Sequence, residues 1–446
     1  MICNLSLTRP SSQSAGAILA LAVLSAGLSA QEPLEQRLKK LEQENKTLQE
    51  QVGALSSDVE KIDLGGFVPK IGQFSDVMGS SRGVGQGANK VYDIEQGISF
   101  GGYGEMVYKD RRDGGKDEAD ARRAILYVGY KFSDKWVFNS ELEWEHGSTS
   151  KEGSASIEFA YLDYLHSDTV NFRAGLLLSP MGLINQLHEP TAFLASNRPE
   201  TEKRIIPSTW REMGAGLYGD VGDFAYQSYM MTALDGENFS KKGLRSGRQK
   251  GSESNSEDFS FITRVDYVGV NGLTLGASAS YGNHGHDEVG TGDVLDPTSG
   301  QTVQGDVPIG NLETFMWEAH VDYRTGPWVL RALYAAADID DTATFNNATQ
   351  SNLAERMSGY YGEVGYDLMG MIAPGSEQQL RPFVRFEQIN TQDQMAAGFT
   401  AEDKYDNEIV TYGLNYKPIP QVVIKADYAD YDNKPDVFTL VFGYVF

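Results

Sequence analysis

Cysteine is almost missing from this chain. The one present, Cys3, stands near the N-terminus, so the rest of the sequence can build neither a disulfide framework nor a thiolate metal site. Long hydrophobic runs are missing too. Beyond residue 30 no apolar stretch nears the ~20 residues that a transmembrane helix needs. That leaves a membrane β-barrel open, because barrel strands alternate and average out to modest hydropathy. Basic residues are in deficit, with 38 Lys and Arg against 62 Asp and Glu and a net charge of -24. The deficit argues against nucleic acid as a partner, since binding phosphate backbones needs basic surface. Histidine is scarce: His146, His166, His188, His284, His286 and His320 are the full set. No GxSxG or HExxH arrangement accompanies them. No catalysis, metal site or cofactor is therefore expected, and the HGH at 284–286 reads as ordinary surface polars.

Glycine and aromatics are plentiful, with 48 Gly, 23 Tyr, 20 Phe and 5 Trp. Together they favour many strands and turns. The N-terminal region reads differently. Residues 15–27, AGAILALAVLSAG, form a short apolar core behind Arg9 and ahead of small residues, the pattern of a secretory signal peptide over 1–30. In residues 31–64 Leu34, Leu38, Leu41, Asn45, Leu48, Val52, Leu55, Val59 and Ile62 are spaced by alternating four and three. That heptad pattern predicts a coiled coil, since a lone helix with one apolar stripe is marginal in water. Asn45 occupies an a position, which fixes register and oligomer number at some cost in stability. Residues 65–96, rich in Gly, Ser and Val, read as a linker without a motif.

From residue 97 onward the period changes to two. Trp136, Phe138, Leu142 and Trp144 share one face of a strand, and Asn139, Glu141, Glu143 and Glu145 share the other. The same division recurs with Phe259, Phe261, Val265 and Tyr267 against Ser260, Arg264 and Asp266. One face apolar over about ten residues suits a tilted membrane strand of ~9–11 residues better than a soluble sandwich strand. About sixteen such strands fit between residues 97 and 446, an even number of the kind bacterial barrels prefer. Tight turns (KFSDKW, LHSDTV, GDVGDF, YVGVNG, YRTGPW, YKPIPQ) alternate with long links at 147–153, 179–212, 236–257, 283–311, 338–354 and 391–404. Short turns on one side and long loops on the other are a membrane-barrel signature. The fold class predicted is all-β: a transmembrane antiparallel barrel of about sixteen strands, preceded by a periplasmic helical coiled coil. The final run, FTLVFGYVF, is expected to close the barrel against the first strand with its aromatic face toward lipid.

The stretch HEPTAFLASNRPETEKRIIPSTWREMGAGLYGDVGDF, with GLRSGRQKG further on, resembles the phosphate-selective porin O and P family. The resemblance implies a homotrimeric outer-membrane channel whose third long loop, here 179–212, folds into the lumen. Pro180, Pro190, Pro199 and Pro207 stiffen that loop, and it would present His188, Arg198, Lys203, Arg204 and Arg211 at a constriction, where charge sets selectivity. The lumen faces of the strands supply Arg123, Lys131, Arg173, Arg264, Arg331, Arg385 and Lys425. These would form a ladder of cations for a passing anion, or pair with Glu141, Glu143, Asp266, Glu318, Glu363, Glu387 and Asp427 on the same faces. Lys241, Lys242, Arg245, Arg248 and Lys250 form a basic extracellular loop, able to funnel anions, to grip lipopolysaccharide phosphates or simply to be solvated. The functional expectation is passive diffusion of small solutes, anions such as phosphate first. A general or sugar porin and a structural tether acting through the coiled coil are the alternatives.

Overall fold

Alternation of apolar and polar residues is realised as a wall with two chemically different faces. The structure is a computed structural model. It describes residues 39, 43, 46 and 47, and residues 81–446 apart from 113–114, 148–152, 296–298 and 300. The signal peptide expected over 1–30 lies outside the described residues. So does the coiled coil expected over 31–64, save for Lys39, Gln43, Lys46 and Thr47, which are exposed helical positions.

Sixteen strands close one antiparallel barrel. They are β1 (Gly97–Arg111), β2 (Glu118–Lys131), β3 (Trp136–Glu145), β4 (Ala155–Leu165), β5 (Asn171–Leu178), β6 (Arg211–Val221), β7 (Phe224–Thr232), β8 (Phe259–Tyr267) and β9 (Leu273–Gly282). After them come β12 (Thr314–Thr325), β13 (Trp328–Ile339), β14 (Arg356–Tyr366), β15 (Gln379–Gln394), β16 (Asp406–Ile419), β17 (Val422–Tyr431) and β18 (Val437–Val445). Strands β10 (Val289–Leu295) and β11 (Thr302–Pro308) form a separate hairpin within the link after β9. The sequence reading had that segment as a plain loop.

The barrel closes where β18 pairs with β1, Tyr103 opposite Val445 and Arg111 opposite Val437. Phe446 exchanges two backbone hydrogen bonds with Gly102, of 2.8 and 3.0 Å. Trp136, Trp144, Phe261, Phe315, Trp328, Leu440, Phe442 and Phe446 are exposed on the outer face, while Arg264, Asp266, Glu318, Asp322, Lys425 and Asp427 are buried inside. A period of two in the sequence thus becomes an apolar outside and a charged inside.

The barrel interior is occupied. Helix α1 (Gln86–Asp93) packs inside against β1, β2 and β3, burying Gly87, Ala88, Val91 and Tyr92. The linker expected over 65–96 did not anticipate it. Glycines make the room: a Cβ on Gly101 would sit 2.6 Å from the Gly87 carbonyl oxygen, and one on Gly129 would meet Val91 at 2.6 Å. Asn139 donates to the Ala88 carbonyl at 2.9 Å. Tyr92 donates to Asp163 at 2.7 Å, which also takes two bonds of 2.8 and 2.9 Å from Arg173. The Arg173 guanidinium lies 4.0 Å from the Tyr161 ring centroid and 4.6 Å from that of Tyr218. A fully buried arginine is tolerable here because its forked donors and its flat faces are both engaged.

Candidate functional site: an inward loop and its arginines

Residues 179–210 connect β5 to β6 and are buried almost throughout. An irregular segment inside a barrel has no strand partner, so its peptide groups need side chains from the wall. Arg331 donates to the Ala192 carbonyl at 3.2 Å, Lys417 to Thr191 at 2.9 Å, Lys425 to Ala195 at 2.8 Å and Arg385 to Asn197 at 3.0 Å. Asn415 donates to Leu194 at 2.9 Å, and Arg264 donates to Gly182. Carboxylates take the loop's N–H groups: Asp427 that of Ser196 at 2.5 Å and Glu387 that of Thr201 at 2.6 Å. Inside the loop, Asn185 donates to the Ser179 and Trp210 carbonyls and accepts from the Trp210 N–H. Glu202 accepts from Tyr361 Oη at 2.5 Å and from the Ile184 N–H at 2.6 Å. Glu189 joins the loop to α1, accepting from the Gly87 N–H at 3.1 Å and Tyr127 Oη at 3.2 Å.

Three arginines lie outside this accounting. Arg248 donates to the Ser208 carbonyl at 3.2 Å and to the carbonyl and Oγ1 of Thr209 at 3.1 and 3.0 Å. Arg245 reaches Ser208 Oγ at 3.5 Å. The buried Nε of Arg198 has no hydrogen-bond partner. Among the described residues none of the three forms an ion pair with a carboxylate. Burial, then the neighbouring guanidiniums of Arg248 and Arg198, lowers the pKa of Arg245. Burial and Arg211 lower that of Arg248, and burial and Arg123 that of Arg198. Burial is the main cause in each case, with neighbouring guanidiniums adding to it. At the other face of the loop, Arg324, Arg331, Arg381 and Lys417 line a cleft with Thr191, Ala192, Phe193, Leu194, Val329 and Asn415.

A model of the family described as phosphate-selective porin O and P matches residues 97–436, well over half of the chain. The chain belongs to this family. It is an outer-membrane porin. An uncharacterized protein of Aquifex aeolicus (strain VF5) is 34% identical over 372 residues, covering 79% of this porin and 80% of that protein. Among solved structures, Salmonella typhi OmpF in complex with daunomycin aligns at TM-score 0.50 and 13% identity, over 79% of this chain and 98% of that one. OmpT of Vibrio cholerae, in-vitro folded and in trimer form, aligns at 0.49 and 12%, over 78% and 99%. At such identity the likeness is one of fold.

The porin's charged residues named from sequence divide into groups. Of the loop set, Arg198 is the one without a carboxylate partner. His188 lies 2.8 Å from Glu158 and 3.4 Å from Glu141, and Lys203 and Arg204 both pair with Glu200. Arg211 is not a loop residue: it opens β6 and pairs with Glu158 at 3.1 Å. On the wall, Arg123 pairs with Glu105, Arg173 with Asp163, Arg264 with Asp266, Arg331 with Asp322 and Arg385 with Glu363. Lys131 donates to the Tyr92 and Ile94 carbonyls, and Lys425 lies 3.7 Å from the Phe193 ring centroid. In the basic loop, Lys241 pairs with Glu402 at 2.7 Å. Lys242 and Lys250 are exposed, and Arg245 and Arg248 turn inward against 208–209. The clamps Asn185, Asn415 and Lys417 were not singled out from sequence, and Glu189 and Glu202 were read only as charges opposing the loop's cations. Their partners are distant in the chain and leave no local pattern.

Proposed function

We propose that this porin passes small anions, phosphate among them, and that loop 179–210 forms its constriction. The observation that carries the reading is the group Arg198, Arg245 and Arg248, cations drawn from two loops with no carboxylate partner among the described residues. A guanidinium fork matches phosphate oxygens and keeps its charge. The wall cations are mostly neutralised locally, so on this reading selectivity is set at the loop and not along a ladder. The assembly on this reading is a homotrimer held in the outer membrane, with the 31–64 coiled coil in the periplasm and the exposed Lys242 and Lys250 toward lipopolysaccharide. The heptads and the family resemblance support that arrangement.

The test is the reversal potential of the purified porin in a planar bilayer under a KCl gradient, with and without added phosphate. Anion-selective current reduced by phosphate is expected, with selectivity moving toward cations in Arg248→Glu and Arg245→Glu. A cation-selective current indifferent to both substitutions would end the anion reading. One observation favours a sugar channel instead: Tyr103, Tyr127, Phe159 and Tyr161 form a row at centroid spacings of 6.0, 6.1 and 5.3 Å. That row is buried, which makes it packing for α1 and the loop. Neutral-sugar block of the current would restore it as a binding surface.

A further inference from the structure

Glu141 on β3, Glu158 on β4 and His188 on the inward loop converge inside the barrel. One donor atom from each lies within 4.8 Å of the other two. The three side chains are all but inaccessible, at 1–2% exposure. A register shift brings two of them together: Glu141 pairs with Phe159 and Leu142 with Ile157, leaving Glu158 as the extra residue. That bulge turns Glu158 inward beside Phe159, the kind of re-aiming for which bulges are used.

Two features point to a missing cation. Glu141 Oε2 is buried without a hydrogen-bond partner, and Glu158 Oε2 has His188 Nε2 alone beside it at 2.8 Å; buried carboxylate oxygens are rarely left so poorly satisfied. His188 Nδ1 lies 2.9 Å from the Asn185 carbonyl oxygen. That contact turns Nε2 toward both carboxylates, as a ligating imidazole is held by its other nitrogen. Arg211 secures the remaining Glu158 oxygen at 3.1 Å.

We propose that Glu141, Glu158 and His188 bind a divalent cation of the zinc class, which fastens loop 179–210 to the barrel wall. One imidazole and two carboxylates suit zinc, whereas calcium and magnesium favour all-oxygen shells. Bonds of ~2.0–2.2 Å would space the donors roughly half an ångström further apart than the Glu158–His188 contact is now. Three protein ligands leave a fourth position for water. The sequence offered no warning, since the ligands sit 17 and 30 positions apart and follow no spacing rule. The site does not depend on which solute the porin carries.

The experiment refolds the full chain into detergent with Zn2+ or with a chelator, so that burial does not limit entry. About one zinc ion per chain by elemental analysis is expected, with a thermal midpoint that climbs with the logarithm of zinc concentration. Calcium and magnesium should leave the midpoint where the chelator does. Glu141→Gln and His188→Gln should each lose zinc affinity at least tenfold. Wild-type protein that refolds free of zinc, with equal midpoints in zinc and chelator, overturns the proposal. So does zinc retained equally by both variants. The wild-type comparison decides even where a variant fails to refold.

Discussion

Two long links leave the same end of this barrel and are completed in different ways. Residues 179–210, between β5 and β6, turn inward; residues 283–313, between β9 and β12, form their own hairpin. The inward loop carries Pro180, Pro190, Pro199 and Pro207 and makes few backbone bonds to itself, so wall side chains satisfy it. The other link pairs Val289 with Pro308 through Leu295 with Thr302, so its hairpin completes most of its own peptide groups. It leaves Val289 52% and Val303 43% exposed. The direction of a link is thus decided by who completes its peptide groups. A link that can pair with itself has no need of the lumen, and one that cannot must be met by a wall built to receive it.

Breaking the wall side of this comparison should have the largest effect. Glu202→Ala leaves the Tyr361 hydroxyl and the Ile184 N–H buried without an acceptor, a loss of about 2–5 kcal/mol for the two. Guanidinium unfolding should show that loss, and single-channel conductance should rise as the loop loosens. An unchanged conductance would mean that Glu202 does not hold the loop.

Acid should separate the two regions next. His284, in the hairpin link, is buried and its Nδ1 accepts from the Leu234 N–H at 3.0 Å. Burial lowers its pKa to about 3. Its contribution is complete above the unfolded value near 6.5, and it fades as pH falls from there toward 3, by up to about 1.4 kcal/mol per unit. Glu200, in the inward loop, behaves differently. Burial opposes its charge, but Lys203 and Arg204 outweigh this and hold its pKa at about 2. Its contribution is complete above its unfolded value and fades as pH falls from there toward about 2, so at pH 4.5 it is still nearly intact. Amide exchange at pH 4.5 should therefore speed up around 234–236 while 200–204 stays protected. Equal acceleration in both places would contradict the distinction. At the small end, Val303→Ser on the exposed hairpin should change stability by less than about 0.5 kcal/mol, measured by the same unfolding curves.

Much of the wall was legible. The alternation of Phe259 and Phe261 with Ser260 and Arg264 forecast which side chains meet lipid, because a period of two maps directly onto two faces. The final run FTLVFGYVF closes the barrel against the first strand as expected. The missed features share a cause. Helix α1 hid in a Gly-rich stretch whose amphipathic residues span barely two turns. The β10–β11 hairpin hid in a link with weak alternation and many glycines. Arg211 was assigned to the loop because an element boundary is legible only to within a residue or two. HGH at 284–286 looked like surface, yet both histidines turn onto the Leu234 backbone. Nothing local in the sequence says that residue 234 is there to receive them.

By itself the sequence determined the class: many amphipathic strands with alternating short and long connections, and an apolar face fit for lipid. Periodicity is a local property, and lipid and water sort local patterns without help from distant residues. Only the tertiary structure decided what fills the barrel. Whether Arg331 or Lys425 stands free or clamps a carbonyl depends on a loop more than a hundred positions away. The meeting of Glu141, Glu158 and His188 likewise needs tertiary structure, a bulge in one strand and an inward turn of a separate loop. Long-range pairing of buried polar groups is settled by closure of the whole barrel, and no window of sequence contains it.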